Sequence, residues 1–199
     1  METDKIHIAW LAELFPPQGE WTEEDYFALP DTDQGIELSD GMLRRVPPLP
    51  NGKARKAGIQ LLKAVNSHII ANNLGETNVG RHRVRLYPGV IRVPEVWFIR
   101  RENQARITRQ YVVGPPDWIA EIITPESCQI VESDKVADYA RAGVPEVWLL
   151  DPTERTIRVG TLVGDAYVFT TYGPDEVATS AAIQGFALAV NIAFGESGS

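Results

Sequence analysis

The most constraining feature of this 199-residue chain is the run from residue 117 to residue 153. It reads DWIAEIIT, then, after a short polar break, IVESDKVADYARAGVP, then EVWLLDPT. The first and last pieces are short, apolar and rich in branched and aromatic residues, as buried strands are. The middle piece places Val131, Val136, Tyr139 and Ala140 along one side, with Gly143 as the stop, which predicts a helix. A strand–helix–strand unit of this kind predicts a parallel, right-handed crossover with both strands in a dry interior. Glu121 stands in the middle of the first strand. A buried carboxylate without a partner is expensive, so the position calls for one.

The other elements predict what surrounds this unit. WTEEDYFALP (21–30) reads as a short helix capped by Thr22 and ended by Pro30. GIELSDGMLRRV (35–46) reads as a hairpin around Ser-Asp-Gly. Residues 53–75 predict a long helix with Ala57, Leu61, Val65 and Ile69 on its apolar side, Ile59, Leu62 and Ile70 widening that side, and Gly75 as its stop. Residues 79–89 alternate, with Arg81, Arg83 and Arg85 on one face and His82, Val84 and Leu86 on the core side; residues 91–99 read as one strand. Residues 102–116 form a polar connection, 156–173 a hairpin turning at Gly164-Asp165, and 178–194 an apolar closing segment. The order predicts an α/β domain: a mixed sheet flanked by helices, with additional hairpins. The expected boundaries are an N-terminal extension over 1–20 (with Ile6, Trp10 and Leu14 on one helical side), one domain over 21–194, and a tail over 195–199.

Composition excludes some classes. The chain is 44% hydrophobic and 23% charged, an ordinary globular balance, and no apolar run reaches the roughly 18 residues of a membrane span. The N-terminus lacks the basic start and small-residue cleavage site of a signal peptide, so the cytoplasm is expected, and the single cysteine, Cys128, suits it. Cys128, without a nearby histidine, reads as a plain small residue. The net charge of −8 is unevenly spread. Residues 44–109 hold 14 of the 19 Lys and Arg residues against three acids, a net of +11, while the rest of the chain carries −19. Such asymmetry suits an anionic partner such as nucleic acid, and equally suits a solvated basic face.

Glu95, in RVPEVWF, is the second acid set in an apolar strand. Period-2 alternation puts Glu121 with Ile119 and Ile123, and Glu95 with Val93 and Trp97; on adjacent strands the two carboxylates would converge. Like charges in a poorly solvated place repel, and a divalent cation such as Mg²⁺ removes that cost. Lys135, early in the following helix, would pair with Glu121 or hold a water or phosphate beside a metal. Read alone, the pattern favours a structural Glu121–Lys135 ion pair with Glu95 at a strand end. Glycoside hydrolysis also uses two carboxylates, but in a polar, aromatic-lined cleft on a larger scaffold.

Five segments in order, WTEEDYFALP, IELSDGML, VRLYPGVIRVPEVWFI, PPDWIAEIITPES and DKVADYARAGVPEVWLLDP, resemble the Uma-two family of endonucleases over roughly residues 21–194. That family is similar to the PD-(D/E)XK nucleases, so the resemblance implies a restriction-endonuclease-like fold. It implies hydrolysis of phosphodiester bonds in nucleic acid, with DNA as the expected substrate, Mg²⁺ or Mn²⁺ as cofactor, and a homodimer as one arrangement. It assigns Glu95, Glu121, Lys135 and Glu37 to catalysis, and Glu95, Glu121 and the carbonyl of Ile122 to the metal. Lys53, Arg55, Lys56, Arg81, Arg83 and Arg85 would contact phosphates. The pattern departs from the family at Glu95, where an aspartate is usual, and at Ile123, where the wider superfamily has its lysine. Cys128 and Val131 replace an expected arginine and aspartate, and the start of the long helix lacks a histidine. A catalytically inactive nucleic-acid-binding or interaction module on the same fold is the alternative.

Overall fold

The structure is a computed structural model that describes residues 15–30, 35–46, 52–78 and 82–195. The expected extension over 1–20 falls largely outside these residues, as does Arg81. Helix α1 (Glu23–Ala28) begins with a closed capping box: the Thr22 hydroxyl accepts from Asp25 N–H, and the Asp25 carboxylate accepts from Thr22 N–H. Strands β1 (Gly35–Ser39) and β2 (Met42–Val46) form the expected hairpin. Asp40 and Gly41 at its turn have φ of 52° and 69°, the left-handed pair that a tight two-residue turn needs. The preceding segment docks on that turn, where Gly19 N–H donates to Gly41 O at 2.8 Å.

Helix α2 (Lys53–Asn72) buries the predicted stripe of Ala57, Leu61, Val65 and Ile69. Leu62 widens it, packing against the same core, whereas Ile59 and Ile70 do not and are 44% and 69% exposed. The helix ends at Asn73, in a left-handed conformation, and Gly75 instead opens β3 (Gly75–Thr77). Strand β4 (Arg83–Tyr87) turns at Gly89 into β5 (Val90–Arg92). The single strand expected over 91–99 is two strands. Pro94 has no N–H for a ladder, so β5 ends in one sheet and β6 (Val96–Arg100) begins in another. A 3₁₀ turn (Arg101–Arg106) leads to β7 (Tyr111–Val113), parallel to β4.

Next come β8 (Trp118–Ile122), a π-helical stretch (Ile130–Lys135), α3 (Val136–Ala142) and β9 (Glu146–Asp151). β8 and β9 pair in parallel, with Glu121 beside Leu149, as the strand–helix–strand pattern predicted. β10 (Thr156–Val163) and β11 (Ala166–Tyr172) form the next hairpin, and β12 (Val177–Thr179), β13 (Ala187–Ala189) and α4 (Val190–Ala193) close the fold. One sheet has the order β2-β1-β5-β4-β7, the second β11-β10-β9-β8-β6-β3, and β12-β13 is a separate pair.

The central strands of the second sheet, β6, β8 and β9, are buried on both faces. Val96, Phe98, Trp118, Ala120, Ile122, Trp148 and Leu150 pack with the α2 stripe. Trp97, Ile119, Ile123, Val147 and Leu149 pack with Val84, Leu86 and Val112 of the first sheet and with Tyr139 of α3. The two-faced burial explains why β8 and β9 are apolar at nearly every position.

Glu146, which the sequence reading did not single out, is 1% exposed. It accepts from Trp148 Nε1 (2.7 Å), Ser180 Oγ (2.6 Å), Ala181 N–H (2.7 Å) and Ala182 N–H (3.2 Å), tying the C-terminal segment to β9. Glu146→Gln turns an amide group toward those backbone donors. It should lower the unfolding free energy by about 2 kcal/mol in urea denaturation, the cost of leaving buried donors without acceptors. An unchanged midpoint would refute this role.

Candidate active site

The crossing at Pro94 places the ends of both sheets and the π-helical stretch before α3 around one cavity of about 470 Å³. Its lining includes Glu37 from β1, Glu95 from the crossing, Glu121 and Ile122 from β8, and Lys135 from the π-helical stretch. The register explains the convergence of the acids. β6 and β8 are antiparallel with Val96 opposite Ala120, so one step further Glu95 stands across from Glu121. Asn78 holds the chain at this step. Its Oδ1 accepts from Trp97 N–H at 2.7 Å and its Nδ2 donates to Glu95 O at 3.0 Å.

Lys135 lies between two carboxylates, 2.6 Å from Glu121 Oε1 and 3.1 Å from Glu37 Oε1. All three residues are at least 95% buried. Glu37 is fully engaged: Oε1 also accepts from Val93 N–H at 2.9 Å, and Oε2 accepts from Arg92 Nη1 at 3.0 Å. Both Glu37 oxygens are thus bonded to protein donors, the Lys135 ammonium among them. Arg92 is 1% exposed and spans from Glu37 to Asp138, donating to Asp138 Oδ2 from Nε at 2.8 Å and from Nη2 at 2.5 Å. Tyr139 donates from its hydroxyl to Glu121 Oε1 at 2.5 Å. Lys135, Asp138 and Tyr139 are three and four residues apart on one helical face, which is why a single element serves the whole cluster.

The charges follow from this wiring. Burial would push the Glu37 carboxyl up, but Lys135, Arg92 and the Val93 N–H outweigh it and hold Glu37 below the usual carboxylate range. For Glu121 burial wins: the Lys135 ammonium and the Tyr139 hydroxyl offset only part of it, and its carboxyl is raised. Burial opposes the charge on Lys135, yet Glu121 and Glu37 more than compensate and raise it above the ordinary lysine value. Arg92 and Lys135 balance Glu37 and Asp138, so Glu121 is the excess negative charge of this group of five.

The oxygen donors fit a hard dication. Lys135 and Tyr139 both approach Glu121 at Oε1, and Glu121, Glu95 and Ile122 share the cavity wall. Among the described residues no group of three or more His, Cys, Asp or Glu is arranged to hold an ion. A set of two carboxylates and a carbonyl, with water completing the shell, suits Mg²⁺ or Mn²⁺ and not a soft metal.

The expected phosphate contacts are dispersed. Lys53, Arg55 and Lys56 are exposed on the first turn of α2, where Lys56 Nζ donates to Gly195 O at 2.7 Å. Arg83 lies over the Tyr26 ring, and Arg85 is paired with Glu23 at 2.9 Å on the side of the first sheet covered by α1. Besides Lys135, the basic residues lining the cavity are Arg44 and Arg45 of β2, with Arg44 paired to Asp134. Their place in the basic stretch was visible in the sequence, but no local signal distinguished them. Tyr139, Arg92 and Asp138 were likewise missed. Tyr139 read as a core residue, and only the alternation of acids and bases around Lys135 hinted otherwise. At the family departures, Val131 is part of the core and Cys128 donates its thiol to Glu132 at 3.1 Å.

A buried carboxylate–lysine cluster therefore lies where two mixed sheets meet in this α+β fold. The sequence profile of the Uma2 family, described as a putative restriction endonuclease family, matches residues 23–191, and the chain belongs to that family. Its fold is similar to that of a crystal structure titled as a putative nuclease belonging to DUF820 from Anabaena variabilis ATCC 29413. The TM-score is 0.72 at 20% identity, covering 87% of this chain and 97% of that one. The search among curated proteins returned no match.

Proposed function

We propose that this protein is a metal-dependent endonuclease that hydrolyses phosphodiester bonds in nucleic acid, with DNA as substrate. The observation that carries the reading is Lys135 Nζ seated 2.6 Å from Glu121 in the cavity that Glu95 also lines. Glu95, Glu121 and the carbonyl of Ile122 would hold Mg²⁺ or Mn²⁺. When bound, such a cation acidifies a coordinated water and offsets charge on a phosphate. Lys135, kept charged by its two carboxylates, presents an ammonium that orients the attacking water and counters the charge developing on the phosphate. Glu37, backed by Arg92, keeps that ammonium in place. Arg44 and Arg45 at the cavity supply phosphate contacts, which give affinity without sequence information. No helix among the described residues is long and apolar enough to cross a membrane, and the reading places the protein in the cytoplasm, acting alone or as a homodimer.

The test incubates the purified chain with supercoiled plasmid and with single-stranded DNA while Mg²⁺ or Mn²⁺ is titrated. Nicked, linear or shortened products should appear with metal and vanish on chelation. DNA binding that weakens steeply with salt, without cleavage in either metal, would replace the enzyme by a binding module.

A further inference from the structure

Resting on the nuclease reading above, we infer that Tyr139 is a positioning residue that sets which oxygen of Glu121 faces the metal. Glu121 Oε1 receives two donors from the same helical face, the Lys135 ammonium at 2.6 Å and the Tyr139 hydroxyl at 2.5 Å. With Oε1 taken, Oε2 is the oxygen left to turn toward the cavity.

The two donors differ in what they can enforce. Lys135 is a rotatable ammonium on a flexible stem, and it is shared with Glu37 at 3.1 Å and with the Val93 carbonyl at 3.4 Å. It attracts Glu121 without selecting one carboxylate orientation. Tyr139 is 0% exposed, and its ring is locked in the cluster of Trp97, Ile119, Val131 and Leu149. A rigid ring with a single hydroxyl defines one direction for its bond. Terminal carboxylate torsions are broad, so an oxygen left without such a bond is free to rotate. Residues that bond to metal ligands typically contribute about 10–100-fold to metal affinity or activity.

The variant is Tyr139→Phe, which keeps the ring and its packing and removes only the hydroxyl. Binding of Mn²⁺ alone is read from the electron paramagnetic resonance signal of the free ion, thermal unfolding is followed in parallel, and DNA cleavage is measured against Mn²⁺ concentration. The expected result is Mn²⁺ binding at least about tenfold weaker than wild type. Cleavage should need correspondingly more Mn²⁺ and recover most of its maximal rate at saturation. Equal Mn²⁺ affinity in the two proteins, with or without a fall in melting temperature, makes Tyr139 structural only and overturns the inference. A wild-type protein that binds no Mn²⁺ overturns the nuclease reading, and the inference with it.

Discussion

Lys135→Met should cost about 3–5 kcal/mol of unfolding free energy at neutral pH and abolish cleavage. The magnitude is that of breaking a buried ion pair by removing one partner. Methionine fills much of the lysine's volume, so a cavity is not the main cost. Instead Glu37 and Glu121, both at least 95% buried, lose the cation between them. The pH dependence separates this from loss of packing. The Glu37 carboxyl is lowered, so its contribution is present above the ordinary value of 4.5 and is lost as pH falls through its folded value. The Glu121 carboxyl is raised, so its ionisation penalises the fold above that raised value and is relieved as pH falls through it. Lys135 is raised, so its stabilisation is complete below the ordinary lysine value of 10.5 and is lost as pH rises through the folded value above it. Wild type should therefore lose stability at the alkaline end. The variant should lack the Lys135 share of that loss, keeping only the share from the raised Tyr87, Tyr139 and Tyr167 hydroxyls, and its deficit should shrink on mild acidification as the carboxyls take up protons. Urea denaturation between pH 5 and pH 11 checks both; a deficit independent of pH would assign the loss to packing.

Glu121→Gln should do the opposite to stability while still removing activity. Glutamine keeps an acceptor for Lys135 and Tyr139 and removes the charge that burial disfavours. Glu37, Asp138, Arg92 and Lys135 then balance among themselves. The unfolding free energy should stay within about 1 kcal/mol of wild type, or rise, in line with the small or favourable effect of neutralising costly buried charge. Cleavage should fall by about a hundredfold or more, as when one preorganised charge-stabilising group is lost. A variant that cuts at the wild-type rate would remove Glu121 from the site. One that unfolds would make Glu121 structural first.

The two predictions rest on residues of different legibility. Glu121, Glu95 and Lys135 were visible because each breaks a local rule: two acids in apolar strands and a lysine early in a helix that returns to the same sheet. The capping box at Thr22, the Asp-Gly turn and the parallel β8–β9 pair were visible because turn chemistry and periodicity act over a few residues. The strand over 91–99 was misread because its apolar pattern continues through Pro94, and periodicity does not say which sheet a strand joins. The extent of the α2 stripe was misjudged for a related reason: Ile59 and Ile70 look apolar, but exposure depends on what lies opposite.

By itself, then, the sequence determined most of the elements, the mixed-sheet α/β class, the pairing of β8 with β9 and the identity of the acids and lysine that share a cavity. Only the tertiary structure decided that Glu37 holds Lys135, that Arg92 bridges to Asp138, that Tyr139 bonds Glu121, and that Arg44 and Arg45 lie at the cavity in place of Arg83 and Arg85. The physical reason is range. Local patterns reflect backbone geometry and solvent exposure over one or two turns, whereas these bonds join residues from two sheets and a helix that meet only once the chain has crossed at Pro94.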